Sequence, residues 1–444
     1  WLKALFSAPA APPSQHRMAG GAEVNSERKD PGKKRLCLLD NAKFILSICV
    51  AVEHLGPCFG CHDKSQFKVI FMLGVKMFMM PTWTFISGYC SSTDLSNVRK
   101  VDGCIKVFAI YFLSQFFWLL MSRYADPWYS TTSFGSELRS AGRRFFESQW
   151  KVEDWFMRFY QLWYLRDLAV WRLVLPFWAR LKYPLITACV INSMVDSFNL
   201  YGGTFENGLR RDLSLDIIWM YFPLFYLGTV AKERKWEVRE GVGYRVAGII
   251  VLIACILVPI LEPVDMDVLW RFSGHSSTLD SLTGTGFGGN LLQFVIRMLS
   301  YVIIAIAVCA FLHAIPRGSI PLMTNLGERS LANYIFHPLS GMLLSYVGVY
   351  GSSHEAPPPW GPQVRVILSI LTSIFWMSPW VWHVVWPICD PPIHWVLKPQ
   401  TAATPKADGP PPSGASRCAA LGKAVRASLG CRKKEDTELT DIQV

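Results

Sequence analysis

Apolar residues run along this chain in long unbroken blocks, and short polar stretches separate the blocks. Blocks of that length read as helices able to cross a bilayer. Ten candidate spans follow, near 38–59, 67–89, 104–122, 160–178, 183–201, 213–231, 244–262, 290–313, 331–350 and 364–388. The third-to-fourth and seventh-to-eighth connections are the longest. In hydrocarbon every backbone polar group must be satisfied internally, which leaves helix bundles and closed barrels. Continuous apolar runs exclude the barrel. The expected fold is therefore all-α, a polytopic membrane helix bundle of about ten transmembrane helices.

Composition agrees: of 444 residues, 51% are hydrophobic and only 17% charged, and the mean hydropathy is +0.25. Residues 1–35 are rich in Ala, Pro, Gly and charge, and are expected to form a disordered cytosolic segment. Residues 399–444 form a second such tail, basic and Pro/Ala/Gly-rich. Residues 36–398 between them read as one membrane domain. Trp1 is not an initiator residue, so Met18 is a candidate start, and no cleavable signal peptide is evident before Pro9.

The net charge of +11 raises the question of nucleic acid, but the basic residues are distributed as topology signals. Lys29, Lys33, Lys34 and Arg35 precede the first span, and Arg99 and Lys100 follow the second. Arg180 and Lys182 follow the fourth; Lys232, Arg234, Lys235 and Arg239 follow the sixth; Lys398 and the tail follow the last. With an even number of spans all of these fall on one side, and the positive-inside rule makes that side cytosolic. Both termini are then cytosolic, the partner is the lipid bilayer, and no nucleic acid is expected. The loop 123–158 departs from the pattern with Arg139, Arg143, Arg144, Lys151 and Arg158. Long loops follow the rule poorly.

Several motifs carry little. The twelve cysteines are scattered, and the half that lie inside candidate spans act as small hydrophobes. Cys58-Phe59-Gly60-Cys61-His62 spells a haem-attachment string, but it ends a membrane helix and reads as an exposed turn or thiol pair. Gly284-Thr285-Gly286-Phe287-Gly288-Gly289 lacks the βαβ setting of a phosphate loop and reads as a flexible outer loop. No metal site is expected.

Ionisable groups within the spans carry more. Such groups are costly in hydrocarbon and usually face a bundle interior. The first span holds Lys43, Glu53 and His54, and the second holds Lys76. Lys43 and His54 are eleven positions apart. That is about three helical turns, which places them near one side of a helix and roughly 16 Å apart. An anionic ligand held at Lys43 would reach the histidine with its other end. The structural alternative is an ion pair of Glu53 with Lys76 across the first two helices. Imidazole accepts and returns a proton near neutral pH, and Glu53 is placed to bias the field around it. Arg297 starts a face of the eighth span; buried, it needs an anion. His337-Pro338 lies in the ninth, where packing is the simpler reading and the proline is expected to open the backbone.

These residues fall in an order that resembles the integral-membrane acyltransferase family three, particularly its fucose O-acetylase-like branch. Leu39-Asp40-Asn41-Ala42-Lys43-Phe44-Ile45-Leu46 through His54 is similar to the family's first-helix signature, a basic residue followed after ten positions by histidine. Met80-Pro81 with Phe85-Ile86-Ser87-Gly88-Tyr89 resembles its second-helix end. Leu162-Trp163-Tyr164-Leu165 with Trp171-Arg172-Leu173 and Pro176 resembles a third block, and Tyr221 through Gly228 a fourth. The fifth is Leu326-Gly327-Glu328-Arg329-Ser330-Leu331 through Tyr334 and His337. The resemblance covers about residues 38–390. Two departures stand out: Glu53 precedes the histidine where a small or apolar residue is expected, and Lys43 takes the place where many members carry Arg. Lys is a point charge without the bidentate fork of Arg.

The resemblance implies a membrane-bound O-acyltransferase that moves an acyl group, usually acetyl, from acyl-CoA to a hydroxyl of a carbohydrate or lipid-linked glycan. His54 would be the catalytic histidine, as general base or acyl acceptor, with Glu53 beside it. Lys43 and Arg297 would bind donor phosphates, and Ser87, Tyr89, Trp163 and His337 would contact substrate. Read from the polar residues alone, a secondary transporter or flippase for an anionic solute is the competing class. No second copy of the Lys43–His54 segment provides the paired halves such folds often show.

Overall fold

A computed structural model describes residues 36–55, 74–94, 98–122, 147, 162–198, 215–261, 287–347, 349 and 361–392. Among the described residues it is all-helical, with twelve helices and no strand. They are α1 (Cys37–Leu55), α2 (Lys76–Tyr89), α3 (Val98–Met121), α4 (Trp163–Trp178), α5 (Pro184–Ser197) and α6 (Leu215–Glu233). There follow α7 (Val242–Leu261), α8 (Phe287–Ala314), α9 (Pro321–Glu328), α10 (Ser330–Tyr346), α11 (Pro362–Met377) and α12 (Pro379–Cys389). Cys58–His62 and the basic loop and tails lie outside the described residues.

Each expected span corresponds to a helix, with three differences. The last candidate, 364–388, is two helices bent by 69° at Ser378-Pro379. Proline cannot continue the hydrogen-bond ladder; instead Ser378 caps the new helix, its Oγ accepting from the Val381 N–H at 3.4 Å. A short extra helix, α9, stands between the eighth and ninth spans. The Gly-rich stretch expected as loop contributes its last three residues, Phe287 to Gly289, to the first turn of α8. By length and apolarity alone, Val101–Met121 and Gly288–Ala314 can cross a membrane, and the bent pair makes a third if it is one span. Among the described residues the count of ten is not reached by that measure, because several of the other helices are short, such as α2 and α5 with 14 residues each, and others carry polar and charged residues. On α1 these include Asp40, Asn41, Ser47 and Glu53, all buried against other helices.

Two clusters of buried side chains form the core. One joins α1, α2 and α8 around Leu46, Phe78, Ile86 and Phe311. The other joins α3, α4, α6 and α10 around Tyr111, Trp171, Phe225 and Ile335. Between them α2 and α6 touch backbone to backbone. A Cβ at Gly88 would overlap the Phe225 carbonyl, and one at Gly228 would overlap the Phe85 carbonyl. Small residues permit such approach in membrane bundles, and Thr229 Oγ1 donates to the Gly88 carbonyl at 3.1 Å. Gly88 is thus a packing residue. Facing outward, α7 and α8 expose Val246, Ile250, Leu257, Leu299, Val302 and Ile306, an apolar surface suited to lipid.

The start of α1 is locked onto α9. Asn41 Nδ2 donates to the Pro316 and Gly318 carbonyls at 2.8 and 3.0 Å, and Thr324 Oγ1 donates to Asn41 Oδ1 at 2.7 Å. Asn41 therefore fixes one end of α1 against the segment that follows α8.

Candidate active site

At its other end α1 presents Glu53 and His54 on successive residues. Glu53 is buried and its Oε1 lies 2.7 Å from Lys76 Nζ on α2. The expected pairing across the first two helices is present, so the carboxylate is committed to a cation one residue from His54. His54 stays partly exposed. Its ring stacks on His337 of α10, with centroids 5.2 Å apart and planes inclined by 20°.

His337 is fully buried. Its Nδ1 lies 3.0 Å from the Asn333 carbonyl and 3.1 Å from the Tyr334 carbonyl. Carbonyl oxygens only accept, so Nδ1 carries a proton, and in the neutral ring Nε2 carries the lone pair. The helix continues through Pro338, contrary to the expected opening. The proline's effect is local instead. Lacking an N–H, Pro338 leaves the Tyr334 carbonyl without its usual i→i−4 donor, and the imidazole takes that place. Asn333 adds a tie to α1, its Nδ2 donating to the Ser47 carbonyl at 3.0 Å.

Residues 38–381 match the sequence model of an acyltransferase domain. The chain belongs to acyltransferase family three. It is an acyltransferase and a membrane protein. No curated protein and no solved structure matches it.

The remaining candidates of the acyltransferase fall at different distances from the histidines. Tyr164 links two of them: its hydroxyl donates to the Trp83 carbonyl at 3.0 Å, so Ser87 Oγ, 2.6 Å away, donates to it. The Tyr164 ring meets Tyr334 edge-on at 5.9 Å, three residues before His337. Trp163 stacks on Tyr221 at 5.6 Å. Ser87 and Trp163 thus meet at Tyr164, whose ring touches Tyr334 on the helix that carries His337. Tyr89 lies apart, packed at the far end of α2, roughly 20 Å of helix from Lys76.

Lys43 and Arg297 are not brought together. Lys43 is partly exposed and lies 3.5 Å from Asp40 one turn earlier. It sits next to Asn41, hence beside the chain that leaves α8. Arg297 is buried, seventeen residues before Ala314 where α8 ends, which is roughly 26 Å along that helix. One set of coenzyme phosphates does not span that gap.

Arg166 and Asp167 on α4 escaped the sequence reading. Both are buried, and Arg166 donates through Nε and Nη2 to Asp167 Oδ1 at 3.0 and 2.8 Å. Two adjacent charges inside an apolar run were the available signal. Among the described residues no group of three or more His, Cys, Asp or Glu is placed to hold a metal ion.

Proposed function

We propose that this acyltransferase moves an acyl group, acetyl foremost, from acyl-CoA to a hydroxyl of a carbohydrate or lipid-linked glycan. The observation that carries the reading is the stacked imidazole pair, one ring buried and the other partly exposed. Alcohol acylation needs a group that takes up the hydroxyl proton or accepts the acyl group itself, and imidazole does both. His54 is that group here. The neutral Glu53–Lys76 pair beside His54 contributes a fixed dipole near the thioester, where the developing oxyanion and thiolate are negative.

Lys43 is the donor-side cation in this reading. It lies on the same helix as His54, roughly 16 Å away, and would exchange Asp40 for a phosphate. With both termini cytosolic, the coenzyme approaches from the Lys43 end and the glycan meets the acyl group at the histidines. Ser87 and Trp163 serve the acceptor through the Tyr164 layer.

The test is free-thiol release from acetyl-CoA by the purified protein in lipid discs, with His54→Ala and Lys43→Ala alongside. His54→Ala is expected to lose at least ~100-fold in turnover with an unchanged melting temperature. Lys43→Ala is expected to weaken acetyl-CoA binding by about tenfold, the scale of one charge-assisted hydrogen bond. A wild-type protein that neither binds nor cleaves acetyl-CoA would overturn the reading.

A further inference from the structure

Two acceptor atoms lie one turn apart on α10 with no hydrogen-bond partner among the described residues: Asn333 Oδ1 and His337 Nε2. Both residues are fully buried. Neither orientation is arbitrary. Asn333 Nδ2 is bound to the Ser47 carbonyl, which turns Oδ1 the other way. His337 Nδ1 is bound to two carbonyls, which in the neutral ring makes Nε2 a bare lone pair. At a spacing of four, the two residues share one face of the helix. A buried acceptor left unmatched is costly, so a pair of them within one turn calls for a ligand that brings donors.

That requirement sorts the two substrates of the proposed reaction, on which this inference rests. At the reacting atoms a thioester carbonyl offers an acceptor only, the N–H donors of acyl-CoA lying along its pantetheine arm, and the proton to be taken up belongs to the alcohol. An alcohol offers O–H. We infer that the Asn333–His337 turn of α10 holds the acceptor alcohol, and that His337 Nε2, rather than His54, takes the hydroxyl proton. Asn333 Oδ1 accepts from a neighbouring hydroxyl or N–H of the same substrate and orients it. His54, stacked 5.2 Å from His337, is then the acyl carrier.

The steps balance. An unprotonated ring nitrogen of His54 attacks the thioester carbon, the C–S bond breaks, and coenzyme A leaves as thiolate. The acyl group stays on an imidazolium that keeps its other N–H. The alcohol oxygen attacks that acyl carbon while its proton passes to His337 Nε2. The C–N bond breaks and returns His54 as neutral imidazole. The proton on His337 then passes through solvent to the thiolate, giving ester and free coenzyme A.

The deciding experiment is rapid-mix thiol release from acetyl-CoA, with water as the acceptor, by the full chain in lipid discs. Wild type, His337→Asn and His54→Ala are compared. Asn keeps an N–H donor at the Nδ1 position, so the contacts to the Asn333 and Tyr334 carbonyls survive while the base is lost. His337→Asn is expected to release one thiol per protein in a burst and then stall, its steady rate down ~100-fold. His54→Ala is expected to show neither phase. A steady rate in His337→Asn equal to wild type, or a burst lost together with turnover in a variant that melts normally, overturns the role of His337. If His337→Asn melts early, His337→Gln is the second variant and is judged by the same two phases. Absence of thiol release from wild type overturns the acyl-transfer reading itself, and this inference with it.

Discussion

The ion pair between Glu53 and Lys76 joins two helices, whereas that between Arg166 and Asp167 joins two neighbours on one helix. Arg166 and Asp167 are the more deeply buried, at 4% and 0% side-chain exposure against 9% for Glu53 and 19% for Lys76. A pair made within α4 survives any movement of α4 as a body. A pair made between α1 and α2 survives only if those helices keep their register. Glu53 is covalently next to His54, so that register is also the position of the stacked imidazoles. Burial depth and functional reach are therefore separate properties: the deeper pair is coupled to the fold, the shallower one to the site.

Substitutions at the two pairs test this separation, beginning with the larger effect. Asp167→Asn removes the buried carboxylate charge that Arg166 Nη2 meets at 2.8 Å and is expected to cost about 3–5 kcal/mol. That loss is read as a lower melting temperature in lipid discs, with normal specific activity in whatever protein stays folded. Glu53→Gln removes charge from a pair nearer to water and is expected to cost about 1–3 kcal/mol. Its specific activity is expected to fall about tenfold, because Lys76 no longer holds α1 in place. If Asp167→Asn lowers specific activity and Glu53→Gln does not, the comparison is inverted. The smallest effect sharpens it. Trp376 Nε1 donates to Ser340 Oγ at 2.7 Å, three residues beyond His337 on α10. Trp376→Phe should cost about 1 kcal/mol and leave thiol release unchanged, showing that a bond to α10 is not by itself a bond to the site.

Much of the helical order was legible because apolar blocks are long compared with the polar stretches between them. The places where reading failed have physical causes. Helix α9 is eight residues long and amphipathic, too short to register as a span. The bend at Ser378-Pro379 was signalled by its proline but hidden inside one apolar block. In the candidate site, the local relations could be read: Glu53 with Lys76, and Lys43 with His54 on one helix. The stacking of His54 on His337 could not, since 283 residues separate them and no periodicity encodes which helices touch. Arg297 was grouped with Lys43 on charge alone. Its position along α8 places it elsewhere.

Pro338 is an apolar residue with no ionisable group, yet it acts on the proton chemistry of its neighbour. The carbonyl it frees at Tyr334 gives the His337 ring a second acceptor on one side. Each hydrogen bond of about 1 kcal/mol changes the ratio of the two neutral imidazole isomers by about fivefold. Restoring an N–H at this position with Pro338→Ala would return that carbonyl to the helix ladder and let the isomers mix. Nitrogen-15 chemical shifts of the two ring atoms would report the change directly. Here a helix-breaking residue does not break the helix; it selects an isomer.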